Sequence, residues 1–226
     1  MRALRERRPG PPVTGALIRP TVRALPRGPL ATGAVVCLLA ASLPRLLPDL
    51  RTLEAATLLL RAGAVALALG LAFLLDDPSR PTTQTTPAGR PLRLWLRAAL
   101  VVPAAGLAWS GALLLIPAEA RPPLAGLTLE AAALAVTALA LAATSLRTTG
   151  RSEPGRGAAA ALVTLVAGAL LLPRGWVLFT APDSPLWAEA HTRWSAVLAA
   201  SLTVWAAGLP EPLRRHRLRL VAAIRP

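Results

Sequence analysis

Residues 55–75 read AATLLLRAGAVALALGLAFLL, an apolar run whose one charged side chain is Arg61. The hydrocarbon layer of a membrane is ~30 Å thick and a helix rises ~1.5 Å per residue, so about 20 apolar residues are needed to span it. The run is made mainly of Ala and Leu, which favour a helix over a strand. The sequence therefore predicts a transmembrane helix from Ala55 to Leu75.

Five further apolar runs flank this one, and 54% of the chain is hydrophobic even before its 16 glycines are counted. That is more apolar surface than a water-soluble domain needs. The class predicted is an all-α, polytopic membrane protein with about six transmembrane helices. The other runs are Leu30–Leu47, Ala98–Ile116, Leu127–Leu146, Gly157–Leu172 and Trp194–Leu209.

The first, fifth and sixth runs are short for a membrane span, so four spans with two re-entrant segments are the alternative. The six-span division gives a basic N-terminal segment at residues 1–28, a transmembrane domain at 29–209 and a basic tail at 210–226.

The distribution of arginine predicts the orientation. All 25 basic residues are Arg, and nineteen of them fall in the N-terminal segment, the second-to-third connection, the fourth-to-fifth connection and the tail. Five fall in the other connections, and Arg61 lies inside a span. Because basic residues concentrate on the cytoplasmic side, we expect a multi-pass protein of the cell (plasma) membrane with both termini in the cytoplasm (N-in/C-in).

Composition also excludes several kinds of chemistry. The chain has no Lys, which excludes a G-x-x-x-x-G-K-[ST] phosphate loop and Schiff-base or pyridoxal phosphate chemistry. The two histidines, His191 and His216, have no companion at metal-ligand spacing. We therefore expect no enzyme activity, no cofactor and no metal. Since topology accounts for the net charge of +14, we expect no nucleic acid partner either.

Two segments outside the spans leave alternatives open. In Thr14–Leu30, Arg19, Arg23 and Arg27 recur every four residues, which indicates either an interfacial helix on anionic lipid or a disordered basic tail. The connection Pro173–Arg193 either dips into the outer leaflet as a re-entrant piece or lies on its surface.

Two ionisable residues lie inside predicted spans, where charged groups usually have a partner or a function. Arg61 and Glu130 both fall toward the outer ends of their spans, so an intramembrane ion pair between them is predicted. Glu54, on roughly the same helix face as Arg61, is the competing partner. Snorkelling of Arg61 to the outer head groups is the third interpretation.

The second-to-third connection carries a resemblance to a known family. The sequence FLLDDP at residues 73–78, a Thr- and Pro-rich loop, and then Arg90, Pro91, Arg93 and Arg97 resemble the small membrane (permease) subunits of actinobacterial ABC-type transporters, of the six-helix exporter class.

The resemblance implies a permease subunit that works as a homo- or heterodimer in the lipid bilayer with a separate cytosolic ATPase. The ATPase would dock on the second-to-third connection, at Asp76, Asp77, Arg80, Arg90, Arg93 and Arg97. A plain turn flanked by topogenic charges is the other interpretation of this connection. For the whole chain, the alternatives are a non-transporting membrane scaffold, immunity or regulatory protein, and, third, an enzyme or ion-coupled carrier.

Overall fold

The described part of the chain is all-helical. The computed structural model describes residues 25–76, 90–149 and 153–208, without the side chains of residues 90–94 and 174. These residues contain no strand. Their six α-helices are α1 (Arg27–Leu46), α2 (Leu53–Ala72), α3 (Arg90–Leu115), α4 (Leu124–Thr148), α5 (Gly155–Leu170) and α6 (Trp187–Gly208). Single 3₁₀ turns occur at Pro48–Leu50, Ala118–Ala120 and Arg174–Trp176.

Each apolar run predicted from the sequence overlaps one of these helices, with differences at the ends. The helix α3 begins at Arg90 rather than Ala98, and α6 begins at Trp187 rather than Trp194. The first run, which the sequence predicts to be marginal, forms a helix of 20 residues.

Four helices are long and apolar enough to cross a membrane: α1, α2, residues Trp95–Leu115 of α3, and α4. The helix α5 is apolar but has only 16 residues. The architecture is therefore compatible with a multi-pass membrane protein.

Consecutive helices run in opposite directions, so the bundle has two distinct ends. Asp76, just after α2, accepts a hydrogen bond from the backbone of Gly155 at the start of α5. At the opposite end, Arg61 of α2 meets Glu130 of α4. We call these the Asp76 end and the Glu130 end. The helices α2, α4 and α6 begin at the Glu130 end, and α1, α3 and α5 begin at the Asp76 end.

Arginine side chains close two helix ends at the Glu130 end. Arg45 donates to the carbonyls of Leu115 (2.6 Å) and Leu114 (2.9 Å) at the end of α3. Arg51 donates to the carbonyls of Pro44 (3.0 Å) and Arg45 (3.2 Å) at the end of α1. The last carbonyls of a helix have no partner within it, so these contacts satisfy groups that the helices leave open.

The helices α2 and α4 form the centre of the bundle. Of their apolar windows 56% and 44% are buried, against 22% for α1 and α3. The helix α1 packs on α2, α6 packs on α4, and α2 packs on α4. On α2 the buried face repeats every four residues and is mostly alanine, which lets neighbouring helices approach closely. Its members include Ala56, Leu60, Ala64, Ala68 and Ala72.

The contact between α1 and α2 depends on glycine. A Cβ atom added to Gly33 would lie 2.6 Å from the carbonyl oxygen of Ala66 and 3.3 Å from the Cα of Gly70. No heavy atom fits at the first distance, so these backbones are closer than any side chain would allow. Small residues at such crossings are typical of helix pairs in membranes, where van der Waals packing replaces the hydrophobic driving force.

Large apolar side chains remain exposed on the outer helices. Leu39 on α1 is 60% exposed, Leu107 on α3 is 75% exposed, and Leu170 on α5 is 65% exposed. A helix that is apolar on its outward face as well as its inward face belongs in an apolar medium. The exposed apolar side chains are thus consistent with helices that cross a membrane.

Candidate functional site

A buried ion pair joins the two central helices. The Nε of Arg61 lies 2.7 Å from Oε2 of Glu130, and Nη2 lies 2.8 Å from Oε1, so both carboxylate oxygens are bound by one guanidinium. The side chain of Glu130 is 1% exposed and that of Arg61 is 13% exposed. The structure therefore brings together the two charged residues for which the sequence predicts a pair. Glu54 is exposed in the first turn of α2.

His191 on α6 is the third ionisable member of this cluster. Its Nδ1 lies 2.7 Å from the carbonyl oxygen of Trp187, which only accepts hydrogen bonds, so Nδ1 carries the proton. Its buried Nε2 lies 3.3 Å from Oε1 of Glu130 but is not aligned for a hydrogen bond.

Aromatic rings enclose the guanidinium of Arg61. Its Cζ lies 5.4 Å from the ring centroid of Phe179 and 5.7 Å from that of Trp187. Cations over aromatic faces are attracted by the ring quadrupole, by about 2 kcal/mol or more where water is excluded. Trp187 also packs on His191, with ring centroids 4.2 Å apart. We call Arg61, Glu130 and His191, together with the rings of Phe179 and Trp187, the Glu130 cluster.

The connection between α5 and α6 folds back onto this end of the bundle and delivers Phe179. Arg193 donates to the carbonyls of Val177 (3.0 Å) and Gly175 (2.9 Å), and it also pairs with Glu189 one turn earlier. Trp194, which is 3% exposed, donates from Nε1 to the carbonyl of Leu178 (2.9 Å). The first two turns of α6 therefore hold the connection in place.

Gly126 on α4 makes room for the histidine. A Cβ atom at this position would lie 2.5 Å from Nε2 of His191 and 2.8 Å from a ring carbon of Trp187. The imidazole therefore packs directly against the backbone of α4, one turn before Glu130.

The arrangement buries an ion pair between the two central helices. The carboxylate of Glu130 is already bound on both oxygens, so it is poorly placed to act as a general base. Among the described residues, no group of three or more His, Cys, Asp or Glu side chains is placed to hold a metal ion. The cluster is thus a buried ion pair with a histidine beside it, and its geometry supports a structural role.

A second polar junction lies at the Asp76 end, at the edge of the predicted docking connection. Oδ1 of Asp76 accepts from the N–H of Gly155 (2.7 Å), and the backbone carbonyl of Asp76 accepts from Nη1 of Arg97 (3.0 Å). Arg97 is 6% exposed. We call this contact of α2, α3 and α5 the Asp76 junction. Burial raises the pKa of Asp76, although the hydrogen bond from Gly155 acts in the opposite direction.

The remaining residues predicted for the docking connection cannot be placed in the same way. Asp77 and Arg80 lie outside the described residues, as do the side chains of Arg90 and Arg93. The predicted interfacial helix at Thr14–Leu30 lies outside them as far as residue 24, and from Arg27 onward its residues belong to α1.

Three members of the Glu130 cluster have roles that the sequence does not predict. His191, Trp187 and Phe179 lie in or near a polar connection, and Glu130 is separated from them by 49 residues or more. The one usable sign was the heptad position of Trp187, His191 and Trp194, which occupy one face of a helix that begins earlier than predicted.

The Arg61–Glu130 pair predicts a charge-swap result. Arg61→Glu and Glu130→Arg are each expected to lower the free energy of unfolding by about 3–5 kcal/mol, because each leaves a buried charge without its partner. The combined swap should recover most of that loss. Arg61→Glu combined with Glu54→Arg is the matched control and should recover none. Thermal unfolding in detergent micelles measures all four variants, and recovery by Glu54→Arg instead would contradict the pairing.

The Asp76 junction predicts a difference between two neutral substitutions. Asp76→Ala should destabilise the protein by about 1 kcal/mol, because the N–H of Gly155 at the start of α5 loses its acceptor. Asp76→Asn keeps an acceptor and should be at least as stable as the parent protein.

The raised pKa of Asp76 fixes the sign of the pH dependence. The folded protein holds this proton more tightly than the unfolded chain, so the ionised carboxylate costs stability above the folded-state pKa, and that cost is relieved as the pH falls through it. As the pH rises from about 4, near the ordinary Asp value, to about 7, the stability of Asp76→Asn should increase relative to that of the parent protein. Melting temperatures of both proteins across this range measure the difference. If the stability advantage of Asp76→Asn shrinks as the pH rises, the raised pKa of Asp76 is contradicted.

Comparison with known proteins identifies no relative. No protein-family model, no curated protein and no solved structure matches this chain. The resemblance to ABC exporter permeases therefore stays a prediction.

Proposed function

We propose that this chain is the permease subunit of an ABC-type exporter, built from six membrane-crossing helices and driven by a separate cytosolic ATPase. The observation that carries the proposal is the Asp76 junction. It ties α2, α3 and α5 together on either side of residues 77–89, the connection where the ATPase would dock.

The junction suits a coupling role because of where its bonds attach. The carboxylate of Asp76 binds α5, and the carbonyl of the same residue binds Arg97 of α3. A displacement of the connection therefore acts on three helices at once rather than on a single helix end. In this mechanism, ATP binding at the partner moves the connection, and the path opens between two membrane subunits.

The orientation proposed is both termini in the cytoplasm of the cell membrane. Four parts of the chain continue from helix ends on the Asp76 side: the N-terminal segment, the α2–α3 connection, the α4–α5 connection and the tail. Together with the one or two helix turns that adjoin them, they hold nineteen of the 25 arginines. Basic residues favour the cytoplasmic face. The Glu130 cluster then lies toward the outer face.

Six crossings require α5 and α6 to span as well. With 16 residues, α5 covers about 24 Å, which is short of a ~30 Å layer. Local thinning of the bilayer accommodates short helices at a modest cost. The helix α6 has 22 residues, with its charged side chains Glu189 and Arg193 in the first two turns, at the proposed outer surface.

A non-transporting membrane scaffold, immunity or regulatory protein is the second candidate. The observation in its favour is that Arg61 and Glu130 bind each other with both oxygens occupied, as a structural pair does, and leave no open carboxylate for a substrate path.

The orientation is tested by labelling single cysteines. In a Cys37→Ala background, Asp183→Cys lies in the exposed α5–α6 connection and Thr85→Cys lies in the α2–α3 connection. A maleimide that does not cross membranes should label the first variant in intact cells and the second only after permeabilisation, because five arginines against nineteen place the two sites on opposite faces. The reverse pattern, or equal labelling, would overturn the topology.

The partnership is tested by replacing residues 78–89 with a Gly/Ser linker of equal length, which keeps Asp76 and Arg97. Mild-detergent purification from the native host should yield a stoichiometric ATPase with the parent chain and none with the linker variant, because the α2–α3 connection, including Arg80, has been replaced. An unchanged melting temperature in the linker variant is the control for folding. A parent chain that purifies alone would sink the permease proposal and favour the scaffold.

A further inference from the structure

An apolar groove of about 300 Å³ opens between α1, α2 and α3 toward the Asp76 end. Its walls include Leu30 and Ala34 of α1, Leu67 and Leu71 of α2, and Val101 of α3. Arg27, the first residue of α1, is the one polar residue among those that line it. The groove therefore combines apolar walls with one cationic side chain.

A second groove on the other side of α1 provides an internal comparison. It has a volume of about 480 Å³ and is lined by residues such as Thr32, Val36, Ala66 and Leu69, without a charged side chain. Both grooves adjoin α1 and α2, and the groove beside Arg27 is lined by α3 as well. They also differ in charge, because Arg27 lines only the first of them.

We infer that the groove beside Arg27 binds one anionic phospholipid, with an acyl chain along the apolar walls and the phosphate on the Arg27 guanidinium. An unbranched acyl chain suits walls of Leu, Val and Ala, and Arg27 supplies a cation for the phosphate. Guanidinium binds phosphate oxygens with two parallel hydrogen bonds.

The charge of the surroundings favours an anionic lipid over a zwitterionic one. The segments that continue from this end of the bundle carry most of the arginines of the chain. Basic pockets between transmembrane helices on the cytoplasmic side are suited to anionic head groups, since both the local cation and the wider field attract them. The inference rests on the proposed membrane location and orientation but not on the ATPase partner.

The test uses native mass spectrometry of the full chain after exchange into micelles that contain equal amounts of phosphatidylglycerol and phosphatidylcholine. The parent protein should retain one phosphatidylglycerol per chain in preference to phosphatidylcholine. Arg27→Gln should reduce that preference about tenfold, as expected for the loss of one charge-assisted contact. Arg156→Gln, which removes another exposed arginine at the same end, is the matched control and should leave it unchanged.

Two neighbouring substitutions on α1 test the position of the lipid. Ala31→Leu fills the groove beside Arg27 and should abolish retention, whereas Thr32→Leu fills the uncharged groove and should not. Both positions are exposed, so neither change disturbs the core. Equal retention of both lipids, no effect of Arg27→Gln, or sensitivity to Thr32→Leu alone would overturn the inference. If the cysteine labelling shows the proposed orientation in any of those cases, only the lipid site fails.

Discussion

The ion pair between Arg61 and Glu130 constrains the arrangement of the whole bundle. Its carboxylate is almost fully buried, and a buried charge is tolerated only when it is paired with good geometry. Both carboxylate oxygens are occupied, so a turn of either helix by one residue, about 100°, would break both bonds. The pair therefore fixes the rotation and the register of α2 against α4. The connection that carries Phe179 and the helix that carries His191 are then packed around it.

Much of this arrangement could be predicted from residues 55–75 and the runs like it. A charged side chain in an apolar run has few available partners. For that reason the sequence alone predicts an ion pair between Arg61 and Glu130. The start of α6 could not be predicted so easily. Glu189, His191 and Arg193 look like a polar loop in the sequence, but Arg193 and Glu189 form a pair one turn apart, and the backbone carbonyls of the preceding connection accept from Arg193.

The contact of Arg97 near the start of α3 could not be predicted from the sequence either. Arg97 looks like a topogenic charge just outside the membrane, yet it is buried and bound to the carbonyl of Asp76. The acceptor is a backbone atom, so no pattern of side chains announces it. The helix α2 thus takes part in both polar clusters, through Arg61 at one end and through the residues after Ala72 at the other. Among the described helices, α2 is the one that contributes residues to both clusters or to their edges.

Arg45, Arg51 and Arg193 share a feature that the charge count conceals: each donates to two backbone carbonyls at once. The planar guanidinium presents several N–H groups in a fixed fork, whereas the ammonium of lysine is a compact point on a flexible stem. Exchanging these arginines for lysines would preserve the net charge, the hydropathy and the topological bias. It would nevertheless weaken two contacts at each site, close to a layer that offers no water as a substitute. In this chain without lysine, arginine therefore satisfies backbone carbonyls at the ends of α1 and α3 and in the α5–α6 connection.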